Sequence, residues 1–152
     1  MTIKEEYNKL QKKYNLPKFE DINHDFEITA IEKTDFLLRE IRKKISEKIE
    51  LLAKLLEGVL QPETTLTHFK ESNVFSEEER EIIYALFRKL MFYDRFSIET
   101  SLNETDAKTA DFLKTFWKDW TSIKASLEKA IKKIKESWEE ETEFKQELSY
   151  IR

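Results

Sequence analysis

The chain contains no cysteine, which excludes a disulfide framework, a thiolate zinc site and a cysteine nucleophile together. Its 152 residues include a single glycine, Gly58. Glycine-rich phosphate loops need several residues at positive φ or in close backbone approach to phosphate, so none can be built here. There are only two prolines. So few turn formers argue against a sandwich or barrel, which turns roughly every 8–12 residues. Long apolar runs are missing as well. The richest, residues 51–60, is interrupted by Lys54 and Glu57 and is far too short to span a bilayer. No membrane partner is expected.

Neither sign of charge dominates. Twenty-seven basic and 31 acidic residues leave a net charge of −4. This balance favours solubility and gives no global pull toward nucleic acid. The opening Met1-Thr2-Ile3-Lys4-Glu5-Glu6 lacks the apolar core of a signal peptide, and a cytoplasmic location is expected. Abundant Lys and Glu beside scarce Asn and Gln suit a thermophile, although an AT-rich genome gives the same bias.

What is present is helical periodicity. Ile3, Tyr7, Leu10 and Tyr14 predict a short amphipathic helix over 2–14, ended by Asn15-Leu16-Pro17. Residues 18–29 carry Phe19, Ile22, Phe26 and Ile28 among acids and read as a short helix or an extended strap. A first long helix is predicted over 30–60 from Ile31, Leu38, Ile41, Ile45, Ile49, Leu52, Leu56 and Val59. Gly58 and Gln61-Pro62 mark its end. A connector with one helical turn follows over 62–75, and Ser76 with Glu79 forms a capping box for the next helix. That helix is apolar almost all round over 82–98, which predicts burial on several sides. The last segment, 106–141, keeps Leu113, Phe116, Trp120, Ile123, Leu127, Ile131, Ile134 and Trp138 in one phase, as one helix or two collinear ones. The expected fold is therefore all-α, a single domain over 1–152. It is an antiparallel bundle of three long helices (core 30–141) with a short N-terminal helix and strap over 1–29 and a tail over 142–152 that frays or folds back.

Catalytic and metal motifs are not found. Di-iron carboxylate bundles need Glu-x-x-His pairs, and neither His24 nor His68 follows a Glu by three residues. His-Glu-x-x-His is absent. Glu78-x-x-Glu81 and Glu136-x-x-Glu139 lack the partner motif of all-α nucleotide pyrophosphatases. The convergent cations and Gln of a helical chorismate mutase cannot be assembled around Leu38-Arg39. No catalytic residue, cofactor or metal is expected.

Three features remain. Lys48 and Asp94 fall on apolar lines of their helices, and a buried charge is costly unless paired. A buried polar pair is expected in which Lys48, Arg42 or Arg39 meets Asp94 while Arg95 pairs with Glu99. A small anion pocket around Lys48, Asp94 and Arg95 and a snorkelling Lys48 are the alternatives. Next, residues 124–135 hold five Lys and one Glu, whereas 136–147 hold six Glu and one Lys. With Arg39, Arg42 and Lys43, the basic stretch of Lys129, Lys132, Lys133 and Lys135 offers a face for RNA, a ribosome or another polyanion. Finally, among 11 Phe, 5 Tyr and 3 Trp, Phe36 and Trp117 lie off the core stripes. They are candidates for a second apolar surface that packs the strap, a second subunit or a partner. The tripeptide Asn103-Glu104-Thr105 matches a glycosylation acceptor, which has no meaning in the cytoplasm.

The run Tyr14-Asn15-Leu16-Pro17-Lys18-Phe19-Glu20-Asp21, then Phe26-Glu27-Ile28, then Phe36-Leu37-Leu38-Arg39-Glu40-Ile41-Arg42, together with Leu90-Met91-x-x-Asp94-Arg95, resembles uncharacterised all-helical archaeal proteins. The resemblance implies an archaeal cytoplasmic source and carries no activity. The functional expectation is a non-enzymatic helical interaction module that binds a protein partner or itself. The alternative is an RNA- or ribosome-associated factor.

Overall fold

Side-chain caps open four of the six described α-helices. The computed structural model describes residues 1–61 and 65–139. Its elements are α1 (Ile3–Tyr14), α2 (Phe19–Phe26), a 3₁₀ turn (Ile28–Ala30), α3 (Leu37–Leu60), α4 (Leu66–Ser72), α5 (Glu77–Leu102) and α6 (Asp106–Ser137). There is no strand among the described residues, so the all-α class and its three long helices stand. Thr2 caps α1 in a box with Glu5, and Asn15 closes it at φ 56°. Ser76 and Glu79 form the expected box at the start of α5. Thr65 caps α4 and Thr105 caps α6 through their hydroxyl oxygens.

The chain divides into two compact units. One holds Met1–Glu50 and Phe92–Trp120, and the other holds, among the described residues, those of 51–91 and those from Thr121 to Glu139. In the first unit, α1 and α2 lie with the N-terminal part of α3, the C-terminal part of α5 and the N-terminal part of α6. Arg39 reaches Glu104 while Ser46 reaches Ser97, so α3 and α5 run antiparallel there. Tyr93 packs on Phe116 and Phe96 on Phe112, which sets α5 antiparallel to α6. The core is an aromatic ladder. Phe112, Phe116 and Trp120, one helical turn apart on α6, stack in succession, and Phe26 of α2 closes on Phe116 and Trp120. Ile41, Ile45 and Ile49 of α3 are fully buried.

In the second unit, Ala53, Leu56 and Val59 of α3, Ile83, Leu86 and Leu90 of α5, and Ile123, Leu127, Ala130 and Ile134 of α6 are buried. The short helix α4 packs where Gly58 has no side chain. A Cβ there would lie 2.4 Å from the His68 ring. Gly58 is therefore a close-approach glycine inside α3 and not the left-handed cap that its place near the helix end suggested.

Three boundaries differ from the sequence reading. The first long helix begins at Leu37, not at 30. Glu27 enters the left-handed region at φ 50°, a 3₁₀ turn follows, Ile31 is extended, and Phe36 sits at φ 55°. Ile31 still reaches the core, but from extended chain. The connector holds a full short helix, α4. The last segment is one helix, and it stops at Ser137 with tight bonds from Trp138 N to Lys135 O and from Glu139 N to Glu136 O. Trp138, expected on the core stripe, is consequently 45% exposed, and its Nε1 donates to Glu71 at 3.0 Å. The tail 142–152 lies outside the described residues.

The central helix α5 departs most from expectation. It is not buried on several sides, because Ile82, Tyr84, Phe92, Ile98 and Leu102 are all more than half exposed. Its all-round apolarity therefore leaves apolar side chains in solvent.

Candidate interaction surfaces

The buried polar cluster of the first unit forms around a residue with no local signature. Glu104, in the three-residue break between α5 and α6, accepts from Arg42 Nε at 2.7 Å and Nη2 at 2.9 Å, and from the Thr109 hydroxyl at 2.7 Å. Arg42 Nη1 donates to Ser97 Oγ at 2.9 Å, and Ser97 in turn meets Ser46 at 2.5 Å. Arg39 Nη2 donates to the Glu104 carbonyl at 3.0 Å. The Arg42 and Glu104 side chains are 9% and 7% exposed. Burial alone raises the Glu104 carboxyl, but the hydrogen bonds from Arg42 and Thr109 and the nearby charges of Arg42 and Arg39 outweigh it and hold it below the usual range. A planar guanidinium gripping a carboxylate with two parallel bonds fixes both distance and rotation, so this cluster sets the register of α3 against the α5–α6 corner. Arg42 spends its bonds on Glu104 and Ser97, while Arg39 Nε is buried without a hydrogen bond, 3.9 Å from Glu104 Oε1, and the cluster reads as architecture.

Lys48 and Asp94 do not pair. Lys48 is exposed, and its Nζ donates to the Asp25 carbonyl at 2.8 Å and lies 5.3 Å from the Phe26 ring centre. Its ammonium reaches out to the strap instead of entering the core, which is snorkelling. Asp94 is half-buried and pairs with its exposed neighbour Arg95, so Arg95 does not pair with the exposed Glu99. The cation that meets a carboxylate across the helices is Arg42, and its partner is Glu104 rather than Asp94. Sequence periodicity placed the charge on the right helix but could not choose among carboxylates from distant segments.

Of the apolar candidates, Trp117 is half-buried and packs edge-on against Phe26 at 6.4 Å, so it holds the strap. Phe36 is 63% exposed. Its ring lies 4.5 Å from the Arg39 guanidinium, at the Glu104 end of the unit. A bulky residue at φ 55° is strained, because its Cβ crowds the following carbonyl.

The basic candidates separate into engaged and open groups. Arg39 and Arg42 hold Glu104, Lys43 pairs with Glu40 at 3.3 Å, and Lys133 binds both oxygens of Glu79 at 2.8 and 2.7 Å. The Lys133 bond and the Ser76 amide hold the Glu79 carboxyl down to about 2. Lys129 and Lys132 are exposed on α6. Lys135 is exposed there too, so four of the seven cations are already neutralised by carboxylates, and they do not form one open basic face.

Lys129 and Lys133 do come together elsewhere. In the second unit they rim an open groove of about 230 Å³ between α5 and α6. Its floor is Phe75, Ile83, Leu86 and Ala130, its outer wall is Ile82, and Ser126 stands at its edge. Ile82 is 64% exposed, whereas Phe75, Ile83 and Leu86 beneath it are buried. Lys133 closes one end by bonding Glu79 while lying over Phe75 at 5.5 Å. The volume accommodates one large apolar side chain. The sequence signal for this groove is the apolar run of α5, whose periodicity by itself predicts core.

Two other open depressions have a different character. Glu57, Glu77, Glu81, Arg80, Tyr84 and Phe87 border one of about 620 Å³ in the second unit. Another of about 450 Å³ in the first unit is edged by Glu32, Glu40 and Glu47 against Lys33, Lys43 and Lys44, whose charges cancel. No three His, Asp or Glu side chains among the described residues are placed to hold a metal ion. No described helix is long and apolar enough to cross a membrane. No family model, curated protein or solved structure matches the chain.

Proposed function

We propose that the chain is a helical interaction module whose second unit binds a protein segment carrying an apolar side chain beside acidic residues. The observation that supports this reading is the groove over Phe75, Ile83, Leu86 and Ala130, walled by an isoleucine that is 64% exposed and rimmed by Lys129. Leaving an isoleucine in water forgoes the stabilisation that burial gives, and a partner's apolar group laid against it recovers that term. An exposed ammonium at the rim favours a carboxylate on the same partner and sets orientation more than affinity. A segment on a second helix with an apolar anchor suits a groove between two helices. A polyanion partner is less well supported, since Arg39, Arg42, Lys43 and Lys133 already hold carboxylates.

The test is selection of a random peptide library on the full chain, counter-selected on Ile82→Asp. Enriched peptides should carry a Leu, Ile, Phe or Trp with Asp or Glu nearby, and Lys129→Glu should weaken their binding. Enrichment of basic sequences, or equal capture by Ile82→Asp, refutes the reading. If capture from cell extract yields RNA-containing material that nuclease abolishes and moderate salt releases, the polyanion alternative replaces it.

A further inference from the structure

The outer face of α5 in the first unit carries a pattern that the groove does not explain. Phe92, Ile98 and Leu102 are exposed by 56%, 51% and 74%. Arg95 and Glu99 lie between them and are exposed as well. At 100° per residue these five side chains fall on one side of the helix, opposite the buried Tyr93, Ser97 and Thr100. Three apolar groups alternating with one cation and one anion on a single solvent face is a costly arrangement for a surface that meets only water.

We infer that this face pairs with the same face of a second copy of the chain, as an antiparallel helix pair about a two-fold axis. The spacing selects the register. In an isologous contact, residue i of one copy meets residue j of the other, and j meets i. Centring the axis near position 97 sets Arg95 opposite Glu99 of the second copy, and Glu99 opposite its Arg95. The same centring sets Phe92 opposite Leu102 twice and leaves the two Ile98 side chains against each other near the axis. Sliding one helix by a turn sets Arg95 against Arg95 or Phe92 against Glu99, so the register that satisfies the charges is also the one that pairs the apolar groups. Within one chain Arg95 is held by its neighbour Asp94, and no described partner of Glu99 competes for its carboxylate. The paired stretch, eleven residues at about 1.5 Å each, is roughly 16 Å long. That makes a contact smaller than a standard protein interface, so the dimer is a weak one that depends on concentration, in the micromolar range or above.

The test is analytical ultracentrifugation of the full chain over a concentration series reaching about 300 μM, the range where such a small contact populates. Wild type is expected to move from 18.4 kDa toward twice that mass. Ile98→Asp, Arg95→Glu and Glu99→Arg should each weaken association by about tenfold or more, the cost of a buried charge or of two like-charge contacts. The two charge variants mixed in equal amounts should associate with each other, because each then presents the charge the other lacks, and the double variant R95E/E99R should dimerise like wild type. These positions are on the surface, so unchanged circular dichroism and melting temperature certify the fold of every variant. A wild type that stays at 18.4 kDa throughout overturns the inference. So does a dimer that Ile98→Asp leaves intact, or one that the charge swap does not rescue. Ile82→Asp, in the other unit, should leave the dimer unchanged, and Ile98→Asp should leave peptide selection by the groove unchanged.

Discussion

Replacing Arg42 by methionine strands the Glu104 carboxylate. Three guanidinium bonds disappear, two to Glu104 and one to Ser97. The carboxylate that remains is 7% exposed and keeps the Thr109 hydroxyl and the more distant Arg39 Nε at 3.9 Å. Removing one partner of a buried pair usually costs 3–5 kcal/mol, and the two surviving contacts put this case at the low end, about 3 kcal/mol. For a chain of this size each kcal/mol moves the melting temperature by about 2–4 °C, so Arg42→Met should lower it by roughly 6–12 °C. Urea titration followed by far-ultraviolet circular dichroism gives the free energy directly, with an unchanged m-value showing that the same transition is measured. The double variant Arg42→Met/Glu104→Leu removes both charges and should be distinctly more stable than Arg42→Met alone, because no buried ion is left unpaired. The exposed pair provides the contrast, and Lys43→Ala should cost less than about 0.5 kcal/mol. A loss below about 1 kcal/mol for Arg42→Met, the level of an exposed pair, would show that Glu104 is hydrated and that the register argument fails.

Three other outcomes follow from the same geometry. Gly58→Ala, which in an open helix gains up to about 1 kcal/mol, should destabilise here because the new methyl meets the His68 ring at 2.4 Å, and Gly58→Ala/His68→Ala should recover the gain in a chemical melt. Phe36→Asn should be neutral or stabilising by up to about 1 kcal/mol, since Asn tolerates positive φ; a loss larger than that would mean the ring's stacking on Arg39 matters to the fold. Glu104 and Glu79 are both held below the ordinary carboxylate range when folded, so the unfolded chain takes up their protons first. Their contribution is complete above the unfolded value of about 4.5 and is lost as pH falls, for Glu79 between about 4.5 and about 2. Stability measured through that window should fall less steeply for Lys133→Met than for wild type, and an identical slope would show that the Lys133 bond does not form in solution.

The sequence by itself determined the elements. Period-3.6 stripes such as Ile41, Ile45, Ile49 and Leu56 are read out by any environment that excludes water, and the Ser76–Glu79 box is a local device that needs nothing beyond four residues. What the tertiary structure decided is every choice among distant partners. Arg42 lay on a legible helix, but Glu104 and Asp94 are equally acidic in sequence, and only the approach of the α5–α6 corner to α3 selected Glu104. The start of α3 escaped because Ile31 belongs to the apolar stripe whether its backbone is helical or extended; left-handed turns at Glu27 and Phe36, residues that do not advertise positive φ, decided against the helix. Gly58 looked like a cap from its position, and its purpose became visible only with the His68 ring laid against it. The exposed Ile82, Phe92, Ile98 and Leu102 were hidden for a related reason. Hydrophobicity records the preference of a side chain to leave water, but whether another surface covers it depends on how many neighbours the fold supplies, and α5 has more apolar faces than the described structure covers.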